Sequence, residues 1–358
     1  MSLIHSYKLV MNNVNSKLFL KGKRIDVEIR TSIRVLNEIF LSLGCSKEIS
    51  QEVSEHLTDS NLCGMESHGV MRVLQYAEQF QSGYMNAKAK PKVLIDSNGI
   101  KRISGNGGIG IPIMTIAYNA GINDAKKYGV SALSIRNVGH TGRHGAFADD
   151  AANKGILTIC VGGGNRHTWR QVAPYGGSKA LLPTNPWCIG IPGGDLGPVV
   201  LDFATSKIAG GWIYAAKSAN ALLPEDCIID KNGNPSQNPD DYFDGGAILP
   251  SGAQKGYGLA LIGELIGEAL LGPSTTEANW LLVSIDTSKF RNKSKMRASA
   301  EEVLDEIRKC TPTEGFKRVE IPGERERQSR NNANGIISMP ESTWMQILEL
   351  SAKLKNTN

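Results

Sequence analysis

Two short stretches of the sequence carry residue types suited to moving a proton beside an anion. The first is Glu66-Ser67-His68-Gly69, with Arg72 four residues past the histidine. A hydroxyl next to an imidazole can fix the ring's tautomer and leave its other nitrogen free for proton transfer. If Gly69 opens a helix, Arg72 stands one turn along on the same side, placed to grip a carboxylate with two parallel hydrogen bonds. The same residues also read as a helix-capping serine and a surface histidine. The second stretch is Gly139-His140-Thr141-Gly142-Arg143-His144-Gly145. Its glycines let backbone approach a ligand closely, a helix beginning there adds partial positive charge, and Arg143 adds a full one. Hydride transfer to an oxo acid needs a proton donor beside a cation, and this loop supplies both. Its plain alternative is a glycine-rich connector.

Weaker signals lie further on. Asp202, within Leu201-Asp202-Phe203-Ala204-Thr205-Ser206, is suited to orienting a histidine, capping a helix or binding a ribose. Gln254 and Lys255 stand where a loop enters an apolar helix, a place suited to a phosphate or an amide. Ile321-Pro322-Gly323-Glu324-Arg325 is a turn followed by further basic residues, among them Arg327. Gly105-Asn106-Gly107-Gly108-Ile109-Gly110 matches the dinucleotide motif GxGxxG, but the next strand ends in Ile135-Arg136-Asn137, where the motif requires an acid. A glycine turn feeding a helix that carries Pro112 in its first turn is the better reading.

The elements that would position these residues follow from apolar spacing. Residues 25–43, 47–62 (with Ser46 as N-cap) and 70–81 are helical and form a small lobe. Residues 91–104 read as short strands around Asn98-Gly99. Helices over 115–128 and 142–153 then alternate with strands over 131–135, 156–161, 187–191 and 199–203. That alternation argues for an α/β sheet with helical cover. Residues 256–271 form a glycine-containing apolar helix, and 298–308 and 341–354 are amphipathic helices.

Composition narrows the function. The chain has 358 residues, 41% apolar and 21% charged, enough for a large core. Its net charge of +5 is diffuse and no basic patch interleaves with aromatics, which disfavours nucleic-acid binding and suits anionic small molecules. The six cysteines have no CxxC or zinc spacing, so free thiols in the cytoplasm and no metal are expected. The opening twenty residues lack an apolar run long enough for a signal core or a membrane span.

Taken in order, Ser67-His68-Gly69 with Arg72, residues 137–145, Ala173-Pro174-Tyr175-Gly176-Gly177, Thr184-Asn185-Pro186, residues 201–206, residues 249–261 and Ile321-Pro322-Gly323-Glu324 resemble the malate/L-lactate dehydrogenase family of nicotinamide-dependent oxidoreductases. That family also holds ureidoglycolate, sulfolactate, diketogulonate and cyclic imino acid members. The resemblance implies a non-Rossmann three-layer α/β/α fold with a mixed, largely parallel sheet. It implies a cofactor-binding domain over 106–269 and a discontinuous lobe from 24–105 with 270–358. It further implies a homodimer using NAD, with NADP possible, on a small 2-oxo or 2-hydroxy acid, malate/oxaloacetate first. Ser67, His68, His140 and Asp202 would be catalytic, and either histidine would be the proton donor. Arg72 and Arg143 would bind substrate. Phe203, Ala204, Thr205, Ser206, Gln254, Lys255, Gly323, Glu324, Arg325 and Arg327 would contact the cofactor. Ser251-Gly252-Ala253-Gln254 departs from the usual double glycine before the lysine, and Trp212 stands where a smaller or charged residue is common.

Overall fold

The computed structural model describes residues 23–218 and 220–356. The opening twenty residues, read above for a signal core or a span, lie outside them. Among the described residues no helix is long and apolar enough to cross a membrane.

Helices α1 (Ile29–Ser42), α2 (Lys47–Leu62) and α3 (Arg72–Gln81) form where the apolar spacing places them. The Ser46 side chain accepts the Ile49 N–H at 3.3 Å and caps α2. Leu36, Ile39, Phe40, Val53, Leu57, Val73 and Tyr76 leave water completely, joining a core continuous with the main sheet. Each such large side chain stabilises the fold by about 1.5–3 kcal/mol. The segment before α1 differs from the helix expected there. Arg24–Glu28 is a strand, β1, paired antiparallel with β12 (Ile336–Pro340), which ties the start of the lobe to the C-terminal segment.

The main sheet has seven strands, β2 (Lys92–Ser97), β3 (Ile100–Gly108), β4 (Val130–Val138), β5 (Ile156–Gly163), β6 (Trp187–Gly194), β7 (Gly197–Phe203) and β11 (Ala278–Asp286). Their order is β2-β3-β4-β11-β5-β6-β7. Helices α4 (Gly110–Tyr128) and α5 (His144–Asn153) cover one face. There Gly121 meets Leu133 and Leu282, and Gly190 meets Ala148. The other face is covered by α8 (Gln254–Leu265) and the π-helical turn Ile266–Leu270, whose glycines touch Gly163 and Gly164 backbone to backbone. The three layers and the mixed sheet are as expected. The balance of directions is not: β3 and β4 are parallel, and every other adjacent pair is antiparallel. The βαβαβ alternation does make β3, β4 and β5 run the same way, but β11 inserts antiparallel between β4 and β5 and breaks the parallel run.

The same insertion crosses the expected domain division. β11 comes from the segment assigned to the lobe, and the 105/106 boundary falls inside β3. A second small core, with Val172, Ile213, Ile228, Ile248 and Ala260, forms around a three-stranded sheet of β8 (Ile228–Ile229), β9 (Pro235–Ser236) and β10 (Ala247–Ile248). Helices α6 (Gly210–Ser218) and α7 (Pro239–Phe243) belong to this part. The chain closes with α9 (Lys293–Lys309), α10 (Glu324–Asn331) and α11 (Glu341–Lys355).

Candidate active site

The carboxyl ends of β3, β4 and β5 open at one end of the sheet, where open α/β sheets bind ligands. His140 follows β4 by two residues, and the lobe brings a 3-10 turn, Glu66–His68, against it. The rings of His68 and His140 are 5.4 Å apart, centroid to centroid. Ser67 Oγ lies 3.0 Å from His68 Nδ1, the pairing expected from sequence. His140 Nδ1 lies 2.6 Å from the Tyr76 hydroxyl and 3.2 Å from the Gly142 nitrogen. Arg72 opens α3; its Nε donates to the Ser67 carbonyl at 2.6 Å and one Nη to Gln75. Its other Nη faces Gly211 at the start of α6, where an added Cβ would come within 3.9 Å. Trp212 instead packs against the second core.

Burial sets the electrostatics. It pushes His68 down to about 3, helped by the Arg72 charge, and holds His140 well below the usual histidine range for the same two reasons. Both rings are therefore neutral near pH 7 in the free protein. The Tyr76 phenol is raised, again by burial, and stays protonated.

The GxGxxG segment turns out to hold His140. Gly110 N–H donates to the His140 carbonyl at 3.1 Å, and Gly139 N–H to the Gly108 carbonyl at 2.8 Å. A Cβ on Gly110 would strike the Gly139 and His140 carbonyls at 2.5 and 2.8 Å. These glycines allow β3 and the start of α4 to lie directly on the histidine loop.

Arg143 does not join Arg72. Its backbone N–H donates to His56 Nε2 at 2.9 Å and its guanidinium to Asp59 at 2.9 Å. Asp59 also takes Arg330 Nη2 at 2.8 Å. Asp202 is bonded to neither candidate histidine; its Oδ2 accepts the Gly145 N–H at 2.6 Å and caps α5 from β7. Burial raises its carboxyl above the usual range, while that N–H and Arg143 pull the other way. Arg143, Asp202, Gly323, Arg325, Arg327 and Arg330 line one cavity of about 330 Å³. Asp149, Glu320 and Glu326 line it too, so four arginines and four acids face one another, and Asp59 behind them takes Arg143 and Arg330 together.

The expected cofactor residues separate into groups. Thr205 sits on the loop between β7 and α6, with its carbonyl accepting the Ser251 N–H at 2.8 Å, which brings residues 203–206 beside the α8 entrance. Gln254 and Lys255 are exposed there. Gly323, at φ +92°, starts α10 against Val200. Arg327 is held by Asp149 at 2.8 Å. Glu324 is buried against Arg308 at 2.6 Å and does not line the cavity. Ala253, the departure from a double glycine, has φ +54° and ψ −124° at the N-cap of α8. That conformation strains any residue with a Cβ. Ala253→Gly should stabilise the protein by about 1 kcal/mol, seen as a raised urea midpoint with an unchanged m-value.

Sequence reading missed Tyr76, His56, Asp59 and Arg330. Tyr76 had a signal, standing four residues past Arg72 and so on its helix face. Among the described residues no group of three or more His, Cys, Asp or Glu is arranged to hold a metal.

Comparison with known proteins gives the family and the fold. A sequence model of the malate/L-lactate dehydrogenase family matches residues 27–348. The chain is 30% identical to the L-sulfolactate dehydrogenase of Methanocaldococcus jannaschii, over 90% of this chain and 95% of that one. It is 29% identical to a Δ1-pyrroline-2-carboxylate/Δ1-piperideine-2-carboxylate reductase of Pseudomonas syringae pv. tomato, over 85% and 90%. Its fold superimposes on the crystal structure of malate dehydrogenase from Entamoeba histolytica with a TM-score of 0.87 at 24% identity, covering 93% of this chain and 99% of that one. The chain belongs to the malate/L-lactate dehydrogenase family of nicotinamide-dependent oxidoreductases.

Proposed function

We propose that this protein interconverts a small 2-oxo acid and its 2-hydroxy acid with NAD, malate/oxaloacetate being the first pair to test. The observation that carries this reading is the paired histidines 5.4 Å apart beside Arg72, a proton donor and a carboxylate anchor in one place. The dinucleotide fits the charged cavity. Arg143 Nε and Arg327 Nε are buried without an acceptor among the described residues, and a pyrophosphate offers the oxygens they lack. Arg325 is paired with Glu326 and Arg327 with Asp149, so neither of these two arginines stands free for a 2′-phosphate, which favours NAD over NADP.

When bound, the nicotinamide supplies or accepts the hydride at C2 of the substrate. Arg72 anchors the C1 carboxylate, and an imidazole gives its proton to the oxygen as negative charge develops there. The expected homodimer has an apolar surface to use on α8 and the π-helical turn, where Leu259, Leu261, Ile262, Leu265 and Leu270 are exposed. All six cysteines are free, which suits a cytoplasmic enzyme.

The test follows nicotinamide absorbance with NADH or NADPH against a panel of 2-oxo acids and cyclic imino acids. Turnover of a dicarboxylic oxo acid with NADH is expected. Turnover confined to imino acids would move the assignment to a reductase like the Pseudomonas relative, and none at all would leave an anion-binding protein. Arg72→Ala should raise KM by about 10²-fold, the loss of charged hydrogen bonds of roughly 1.5–3 kcal/mol. An unchanged KM would remove Arg72 from the carboxylate.

A further inference from the structure

The hydrogen bonds around the two histidines are of different kinds, and the difference divides their roles. His140 Nδ1 faces both the Gly142 N–H and the Tyr76 hydroxyl. A backbone N–H can only donate, so Nδ1 presents its lone pair and the ring's proton sits on Nε2. Tyr76, fully buried, must then be a donor too. Protonating Nδ1 would set its hydrogen against that of Gly142. The peptide is closely packed, because Gly142 has φ +72° and even a Cβ added there would collide with His56 and Ile111. His68 Nδ1 meets the Ser67 hydroxyl instead, and a hydroxyl donates or accepts by rotating. That ring is free to gain and lose a proton without breaking its bond.

Resting on the reading of this protein as a 2-oxo acid dehydrogenase, we propose that Tyr76 is a positioning residue which, with the Gly142 N–H, holds His140 as a neutral Nε2–H hydrogen-bond donor to the substrate oxygen, and that His68 transfers the proton. In the reducing direction the hydride forms the new C–H bond at C2 and the carbonyl π pair moves onto oxygen. That oxygen takes the proton of the His68 imidazolium, leaving a neutral imidazole that regains a proton from water. The oxo acid is reduced, the nicotinamide is oxidised, and His140 changes no bond. The groups that act on His68 are Ser67, Arg72, His144, His56 and Arg143, with the His140 ring 5.4 Å away. Those that act on His140 are Tyr76, Arg72, His68, His144 and His56, with Glu277 beyond Tyr76 and Arg72. Arg72 is the largest charge acting on each ring, and a substrate carboxylate seated on it cancels that charge. His68 has the partner that can follow the change, so it takes up its proton as the oxo acid binds.

Nitrogen-15 spectra of the histidine rings test the first part without substrate or nicotinamide, with His140 assigned by its loss in His140→Gln. The expected result is a protonated Nε2 and a bare Nδ1 at His140 from pH 5.5 to 8. Tyr76→Phe should turn that signal into a mixture of tautomers. A proton on Nδ1 of the wild-type ring overturns the proposal. Kinetics test the second part. Glutamine can place an amide N–H near the former Nε2–H, so His140→Gln should keep kcat/KM within about 100-fold of wild type and leave the pH limb in place. His68→Gln should lose about 10³-fold or more and the limb with it, the range general acids supply. Loss of the limb in His140→Gln, with its retention in His68→Gln, would reverse the roles and overturn the proposal. Absence of all wild-type turnover would overturn the functional reading alone, since the ring spectra decide the tautomer independently.

Discussion

Asp59→Ala is expected to lower the unfolding free energy by about 3 kcal/mol, read as a fall in the urea midpoint at constant m-value. Asp59 lies on α2, and its carboxylate receives Arg143 from the histidine loop and Arg330 from α10. One side chain thus ties the lobe to the sheet and to the C-terminal segment. The Arg143 side chain is 8% exposed, so losing its partner leaves a charge that water barely reaches. Breaking a buried pair from one side costs about 3–5 kcal/mol, and the lower end applies because Arg330 is 35% exposed. Added sulfate or phosphate should recover part of the loss by occupying the cavity that both arginines line. A loss below about 1 kcal/mol would show that solvent already screens the cluster.

How far the fold could be read depended on whether an element announces itself locally. α1, α2 and α3 carry amphipathic spacing and were legible, as were β4 to β7 between turn residues. β11 was not. Ala278-Asn279-Trp280-Leu281-Leu282-Val283 has one face buried and the other half-buried, and its near-continuous apolar run shows neither alternation nor a helical stripe. Its place between β4 and β5 is decided by pairing with residues more than a hundred positions away. β1 was hidden similarly, because its only partner is β12 at the far end of the chain.

The site shows the same division. Ser67-His68-Gly69 and Gly139-His140 were legible because consecutive residues carry their chemistry. Asp202 was visible as a polar residue ending a strand, but only the fold shows its carboxylate spent on the Gly145 N–H. Glu324 looked like a ligand of the cofactor turn until Arg308, sixteen residues earlier, took it. Tyr76 lies 64 residues from His140 and Asp59 lies 271 from Arg330. In the sequence each is an ordinary residue of an amphipathic helix. The groups that decide how a visible histidine behaves were therefore the ones least visible.

The second large effect expected is a loss of stability in mild acid. His56, His68, His140 and His144 all sit below the ordinary histidine range through burial, His56 at about 4 and His68 and His144 at about 3. The folded protein keeps these rings neutral, whereas the unfolded chain protonates them below about pH 6.5. The unfolded state therefore binds more protons, and stability falls as pH drops from about 6.5 toward the folded values. Each histidine contributes at most about 1.4 kcal/mol per pH unit, so four give a ceiling near 5 kcal/mol per unit. Asp202 and Glu277, raised by burial, act in the opposite sense, but only as pH approaches the carboxylate range. The clean window is thus roughly pH 6.5 to 5. Urea unfolding across it should give a slope equivalent to about 3–4 protons, with none of this dependence between pH 7.5 and 8.5. A slope below about one proton would mean that the native rings accept protons, and so that the site tolerates charge on His68 and His140 even before a substrate carboxylate reaches Arg72.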